Sequence, residues 1–215
     1  MIRTSRNIRA LIMLTIIASG CVVLSGCATL GKDECLYADW RTIGYEDGAH
    51  GFSASRIGSH REACAKHGIA PDFDLYEQGR LQGLGEYCTL QKGYGLGVSG
   101  KPYVDVCPEV LEPAFLEGYS QGKIVHGAQM EVKRLKSDLK KMYRDLNGVT
   151  QKLGEFENEL VRDNSIGPRR RKYLLEEIKI LTDQQRVLAA DIDGQEVLLE
   201  SAELHLHELQ AQRTY

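Results

Sequence analysis

Cysteine and histidine are the residue types in this chain whose spacing could support chemistry. The 215-residue sequence holds six of each. Cys21 and Cys27 close an N-terminal stretch in which Arg3, Arg6 and Arg9 precede an apolar run from Ala10 to Val23. A basic, acid-free start followed by a short apolar segment reads as a secretory signal, too short to span a bilayer comfortably. Export places the other four cysteines, Cys35, Cys64, Cys88 and Cys107, in an oxidising compartment, where an even set reads as two disulfides. Three pairings are open; Cys35–Cys64 with Cys88–Cys107 is preferred, because each bond would tie the ends of one local segment. Zinc is the competing use, but no two of the four have the close Cys-x2–4-Cys spacing of a metal ribbon, so no metal or other cofactor is expected.

His50, His60, His67 and His126 lie in or beside the cysteine-bearing region, and His205 and His207 lie far down the chain. Asp47 and His50 stand at helical i,i+3 spacing and could form a surface pair. No His-Glu-x2-His motif and no Gly-x-Ser-x-Gly nucleophile turn occurs, so no catalytic residue is assigned and a non-enzymatic protein is expected. Gly95-Leu96-Gly97-Val98-Ser99-Gly100 matches Gly-x-Gly-x2-Gly literally. A dinucleotide fingerprint needs a buried strand before it and a helix after it; here Lys101-Pro102-Tyr103 follows, and the stretch, with Gly93, reads as a flexible loop.

Composition narrows the class further. With 42% hydrophobic and 27% charged residues the chain is neither polytopic nor wholly disordered, and a formal charge of −3 gives no reason to expect nucleic acid. Leu24-Ser25-Gly26-Cys27 resembles the lipobox of bacterial lipoproteins. That resemblance implies cleavage before Cys27 (signal peptide 1–26), acylation of Cys27 with palmitate-like chains, and a lipidated tether over 27–34. Ala28 after the cysteine, by the same resemblance, implies sorting to the outer membrane, facing the periplasm. More than one acyl chain anchors stably where a single chain binds marginally.

The elements that must position these residues show two patterns between Cys35 and Gly127. An aromatic stands three before a glycine at Tyr45/Gly48, Tyr76/Gly79, Phe115/Gly118 and Tyr119/Gly122, and glycines recur at a spacing of four in Gly44/Gly48, Gly79/Gly83 and Gly118/Gly122. On a helix such a pair bares one face, so three short helices packed closely through their glycines are expected within one small disulfide-tied domain, 35–127. Each helical glycine costs about 0.5–1 kcal/mol relative to alanine unless close packing recovers it. Asp39-Trp40, Gly44-Tyr45-Glu46-Asp47-Gly48, Tyr76, Gly79, Gly83, Tyr87-Cys88, Val106-Cys107-Pro108 and Phe115 to Tyr119 together resemble a family of Gram-negative lipoproteins catalogued as a domain of unknown function, number 2799. The resemblance implies no activity.

From about 128 to the end the apolar spacing changes. Val132, Leu135, Leu139, Met142, Leu146, Val149, Leu153, Phe156 and Leu160 alternate steps of three and four; Asn164 to Pro168 interrupts; then Leu174, Ile178, Leu181, Gln185, Leu188, Ile192, Gln195, Leu199, Ala202, Leu206 and Leu209 continue. The expected fold class is therefore mainly α, the Gly-rich domain being followed by an antiparallel two-helix coiled-coil hairpin over 128–215, with arms at about 128–163 and 168–213. Residues 129–172 hold 12 basic and 7 acidic side chains and 173–215 hold 3 and 9. Antiparallel pairing sets Lys133, Arg134, Lys136, Lys140 and Lys141 against Asp191, Asp193, Glu196, Glu200 and Glu203. At the tip, Arg169-Arg170-Arg171-Lys172 is either a contact for an acidic partner or is compensated by Glu155, Glu157, Glu159 and Asp163.

The expected function is a structural or adaptor role in the envelope, with the hairpin engaging another copy or an envelope protein and the lipid engaging the membrane. The second reading is a ligand- or glycan-binding module using Trp40, Tyr45, Tyr76 and Tyr119. The third is a cell-wall hydrolase, for which Asp47, His50 and Glu86 are the remaining candidates.

Overall fold

The computed structural model describes residues 29–212 apart from Asn164. Seven helices account for the architecture: α1 Lys32–Leu36, α2 Trp40–Ala49, α3 Arg56–Ala65, α4 Phe73–Tyr87, α5 Leu90–Val98, α6 Glu112–Arg162 and α7 Pro168–Ala211, with no strand among the described residues. The chain forms two compact units that divide between Glu86 and Tyr87. The expected division at 127/128 is not a structural break, because α6 runs through it without interruption.

In the first unit Asp39 caps α2, its carboxylate accepting from the backbone N–H groups of Arg41 and Thr42. Gly44 and Gly48 of α2 meet Gly79 and Gly83 of α4 at backbone contact. A β-carbon on Gly44 or Gly48 would overlap the carbonyl oxygen of Tyr76 or Arg80, and one on Gly79 or Gly83 that of Arg41 or Tyr45. The facing residue numbers rise together on the two helices, so they cross in parallel, and α3 lies on the return between them. Cys35–Cys64 fastens the residue stretch before α2 to that return, with Cα atoms 5.5 Å apart. Around this bond Cys35, Trp40, Cys64 and Tyr76 form a buried cluster, against which Leu30, Ile43, Ile57 and Ile69 pack.

The second unit begins with the same construction. Thr89 caps α5 by accepting from the backbone of Lys92. Gly93 and Gly97 of α5 face the carbonyls of Phe115 and Tyr119, while Gly118 and Gly122 of α6 face those of Leu90 and Tyr94. Cys88–Cys107, with Cα atoms 5.6 Å apart, again fastens the start of the first helix to the return. Residues 93–98, expected as loop, are therefore helix. Their glycines are tolerated because a neighbouring backbone fills the space a side chain would occupy. Each bridge closes a loop worth about 3–4 kcal/mol in the chain-entropy account.

Helix α6 then continues as the first arm of the hairpin. At 1.5 Å per residue its 51 residues extend about 75 Å, and the 44 residues of α7 about 65 Å. Every expected seam residue on both arms is buried or half-buried, with Val132, Leu135, Leu174, Leu181 and Ile192 the most enclosed. Gln185, a polar interruption of the seam, donates through Nε2 to Thr150 Oγ1 at 2.9 Å. Of the expected charge pairs, Lys136–Glu203 forms at 2.7 Å, whereas Arg134 turns to Glu131 and Asp138 on its own helix.

Candidate functional site

The densest buried polar cluster in the first unit centres on Asp47. Position 47 precedes Gly48 on α2, so the close approach of α4 carries its carboxylate into the interior. His60, on α3, donates from Nε2–H to Asp47 Oδ2 at 2.8 Å, and the Tyr76 hydroxyl on α4 donates to the same oxygen at 2.8 Å. Arg56 Nε lies 3.8 Å from Asp47 Oδ1, too far for a hydrogen bond, and is buried without one. Its guanidinium sits 4.5 Å from the centre of the Phe52 ring. On the other side of the ring, the Thr29 hydroxyl lies 2.9 Å from His60 Nδ1.

Asp47, His60 and Tyr76 are all buried. Burial first, and then the hydrogen bond to Asp47, push the Tyr76 phenol above its ordinary value. Both ring nitrogens of His60 have internal partners, as does the hydroxyl of Tyr76. The arrangement knots together three helices and the lead-in at Thr29. Arg80, also buried, donates from Nε to the Phe52 carbonyl and pairs with Glu77.

The sequence candidates fall out as follows. Asp47 and His50 do not pair: His50 Nδ1 lies 2.7 Å from the carbonyl of Glu46 and its side chain is exposed. His60 is the partner that sequence reasoning missed, since it stands thirteen residues away on another helix. Of the four aromatics considered for ligand contact, Trp40 and Tyr76 are buried, Tyr45 is partly exposed, and Tyr119 is half-buried with its hydroxyl donating to the Lys101 carbonyl. The cysteines pair as preferred. Cys27 lies outside the described residues. At the hairpin tip, Arg170 makes a two-pronged pair with Glu159, both contacts 2.7 Å, so that member of the basic run is compensated locally. Among the described residues, no group of three or more His, Cys, Asp or Glu side chains is placed to hold a metal ion. No helix among them is long and apolar enough to cross a membrane.

In the second unit the equivalent interior is aromatic. Phe115 stacks on Tyr87 at 5.3 Å and contacts Tyr103 at 4.9 Å, and the Tyr103 hydroxyl donates to Glu112 while accepting from the Cys107 backbone N–H. The two helix pairs, taken together, run from the cap at Asp39 to just past Gly122.

A match to a known family covers that stretch. Residues 39–124 match the model of a family described as protein of unknown function, DUF2799. The matched stretch comprises two successive glycine-paired helix pairs, and the hairpin from residue 125 onward lies beyond the match. No curated protein and no solved structure matches the chain.

Proposed function

We propose that this protein is a non-enzymatic lipoprotein of the outer membrane, anchored through Cys27 and facing the periplasm. In this reading it serves as a structural or adaptor protein whose helical hairpin engages a second copy or another envelope protein. The observation that carries the reading is the surplus apolar surface of α7. Leu175, Ile180, Val187, Val197, Leu198 and Leu204 are all more than half exposed, outside the seam. Ile180, Val187 and Leu188 line an open groove with Asp183 and Gln184. An apolar second face on a helix that already fills one seam is the pattern of a helix with two partners.

The ligand-module reading is weakened by the burial of Trp40 and Tyr76. The hydrolase reading loses its expected pair, since Asp47 is turned to His60. The test is photo-crosslinking in cells with a probe at Val187 and Leu198. Adducts to an envelope protein or to a second copy support the hairpin as the contact. A probe at either position that yields no adduct, in protein shown to reach the envelope, overturns it. Mass measurement of the mature N-terminus tests the anchor: a lipid-bearing Cys27 supports it and an unmodified residue refutes it.

A further inference from the structure

The lead-in to the first unit is docked almost to the anchor position. Thr29 hydrogen-bonds the buried His60 ring, and Leu30 packs on the cluster formed by Cys35, Trp40, Cys64 and Tyr76. Glu34 Oε2 accepts from the Gly31 backbone N–H at 2.6 Å, closing the turn into α1. Cys35, near the end of α1, is bonded to Cys64. His60 and Cys64 are one helical turn apart on α3, about 6 Å along its axis. Residues 29–35 are therefore fixed along a single turn of α3 and do not form a free tether.

Only Ala28 separates Cys27 from Thr29 in the chain. Whatever its conformation, two peptide units reach no more than about 7 Å, so the Cys27 backbone stays within that distance of Thr29. Acyl chains on Cys27 begin in the headgroup layer. The first unit must then rest against that layer, with the surface around the lead-in towards it. The residues at the other end of the same helical turn are Leu36, half exposed, and Tyr37, 86% exposed. Neither has an internal partner for its apolar surface on the scale of the buried Cys35 beside it.

On the reading of Cys27 as the lipid attachment site, we infer that Leu36 and Tyr37 form a membrane-contacting patch. They insert at the headgroup–acyl boundary beside the acyl chains and hold the first unit in one orientation on the bilayer. The chemistry fits: a tyrosine with an apolar body and a polar tip favours the interface, and a neighbouring leucine adds apolar burial that the protein interior does not supply. A covalent anchor alone would leave the unit free to swivel; a second contact on the docked lead-in removes that freedom.

The test uses the full-length, processed protein in vesicles of phosphatidylethanolamine and phosphatidylglycerol containing a phosphatidylcholine with a diazirine at glycerol depth. After illumination, the lipid adducts are mapped by mass spectrometry. The peptide bearing Leu36 and Tyr37 is expected to carry the highest adduct yield of the first unit, and the yield is expected to be lost in Leu36→Asp/Tyr37→Asp. Intact Cys35–Cys64 pairing in the variant, checked by mass under non-reducing conditions, shows that the loss is not misfolding. A lipid-bearing Cys27 with no adduct on that peptide of the wild-type chain overturns the patch and leaves the anchor standing. An N-terminus without lipid overturns the anchor, and the patch with it.

Discussion

Tyr76 in the first unit and Phe115 in the second stand at the same place, three residues before the first glycine of the second helix of each pair, and both are wholly buried. Asp47 and Leu96 likewise correspond, each immediately before the second glycine of the first helix. One frame of eight glycine–carbonyl contacts thus carries two interiors. The first unit joins its helices through a carboxylate, an imidazole and a phenol; the second fills the space with Tyr87, Tyr103 and Phe115. The glycine contacts set the helix spacing in both, and the side chains between them are free to be polar or aromatic provided the polar set is mutually satisfied. A polar interior of this kind is fragile to partial removal, because the partners left behind stay buried and unpaired, whereas an apolar one loses only area.

The sharpest way to break the comparison is Asp47→Ala, which leaves His60 Nε2, the Tyr76 hydroxyl and Arg56 without a carboxylate. It is expected to destabilise the first unit by about 3–5 kcal/mol. The matching Leu96→Ala in the second unit is expected to cost about 2 kcal/mol, Leu96 being only half-buried; urea unfolding with a probe in each unit reads both. Equal losses would refute the distinction between the interiors. The shared frame is tested next by Gly48→Val and Gly97→Val. Each puts a side chain into a main-chain carbonyl, Arg80 or Tyr119, and each is expected to cost about 3 kcal/mol in its own unit.

Smaller again is Tyr76→Phe, which makes the first interior resemble the second at one atom and is expected to cost about 1 kcal/mol at neutral pH. Its pH dependence is more telling. The folded phenol is held protonated above its ordinary range, so its contribution is complete below about pH 10, the range of a free tyrosine. It is lost as pH rises from there towards the higher folded value, because the unfolded chain releases the proton first. Tyr76→Phe should therefore flatten the alkaline fall in the first unit's urea midpoint. An unchanged fall would remove Tyr76 from the account; Tyr87 and Tyr103, also raised by burial, act on the second unit. The smallest effect is at the hairpin tip. Arg170→Ala removes an exposed pair with Glu159 and should change stability by a few tenths of a kcal/mol, an effect that added salt erases.

The hairpin was legible residue by residue, since an alternation of three and four describes the buried stripe of any helix with one partner, and every seam position lies inward. The cysteine pairing was legible too, because both bonds close local segments. Gly93 and Gly97 were not: four glycines between 93 and 100 read as a loop by propensity, and only the carbonyls of Phe115 and Tyr119 make a helix there worthwhile. The signal was present, since Tyr94 stands three before Gly97 as Tyr45 does before Gly48. Asp47 pointed to the wrong histidine because sequence spacing measures one helix, and His60 arrives from the next. The start of α6 at Glu112 was hidden by a change of pattern at 128 that alters the partner of the helix and not its course.

That unbroken course has a mechanical consequence. From Glu112 to Arg162 a single rod serves first as half of a glycine-paired couple and then as half of a hairpin, with no hinge between the two tasks. A sideways pull at the tip would travel down the rod as leverage and arrive as shear between Gly118, Gly122 and the backbone of α5. The Cys88–Cys107 bond sits where it resists that sliding.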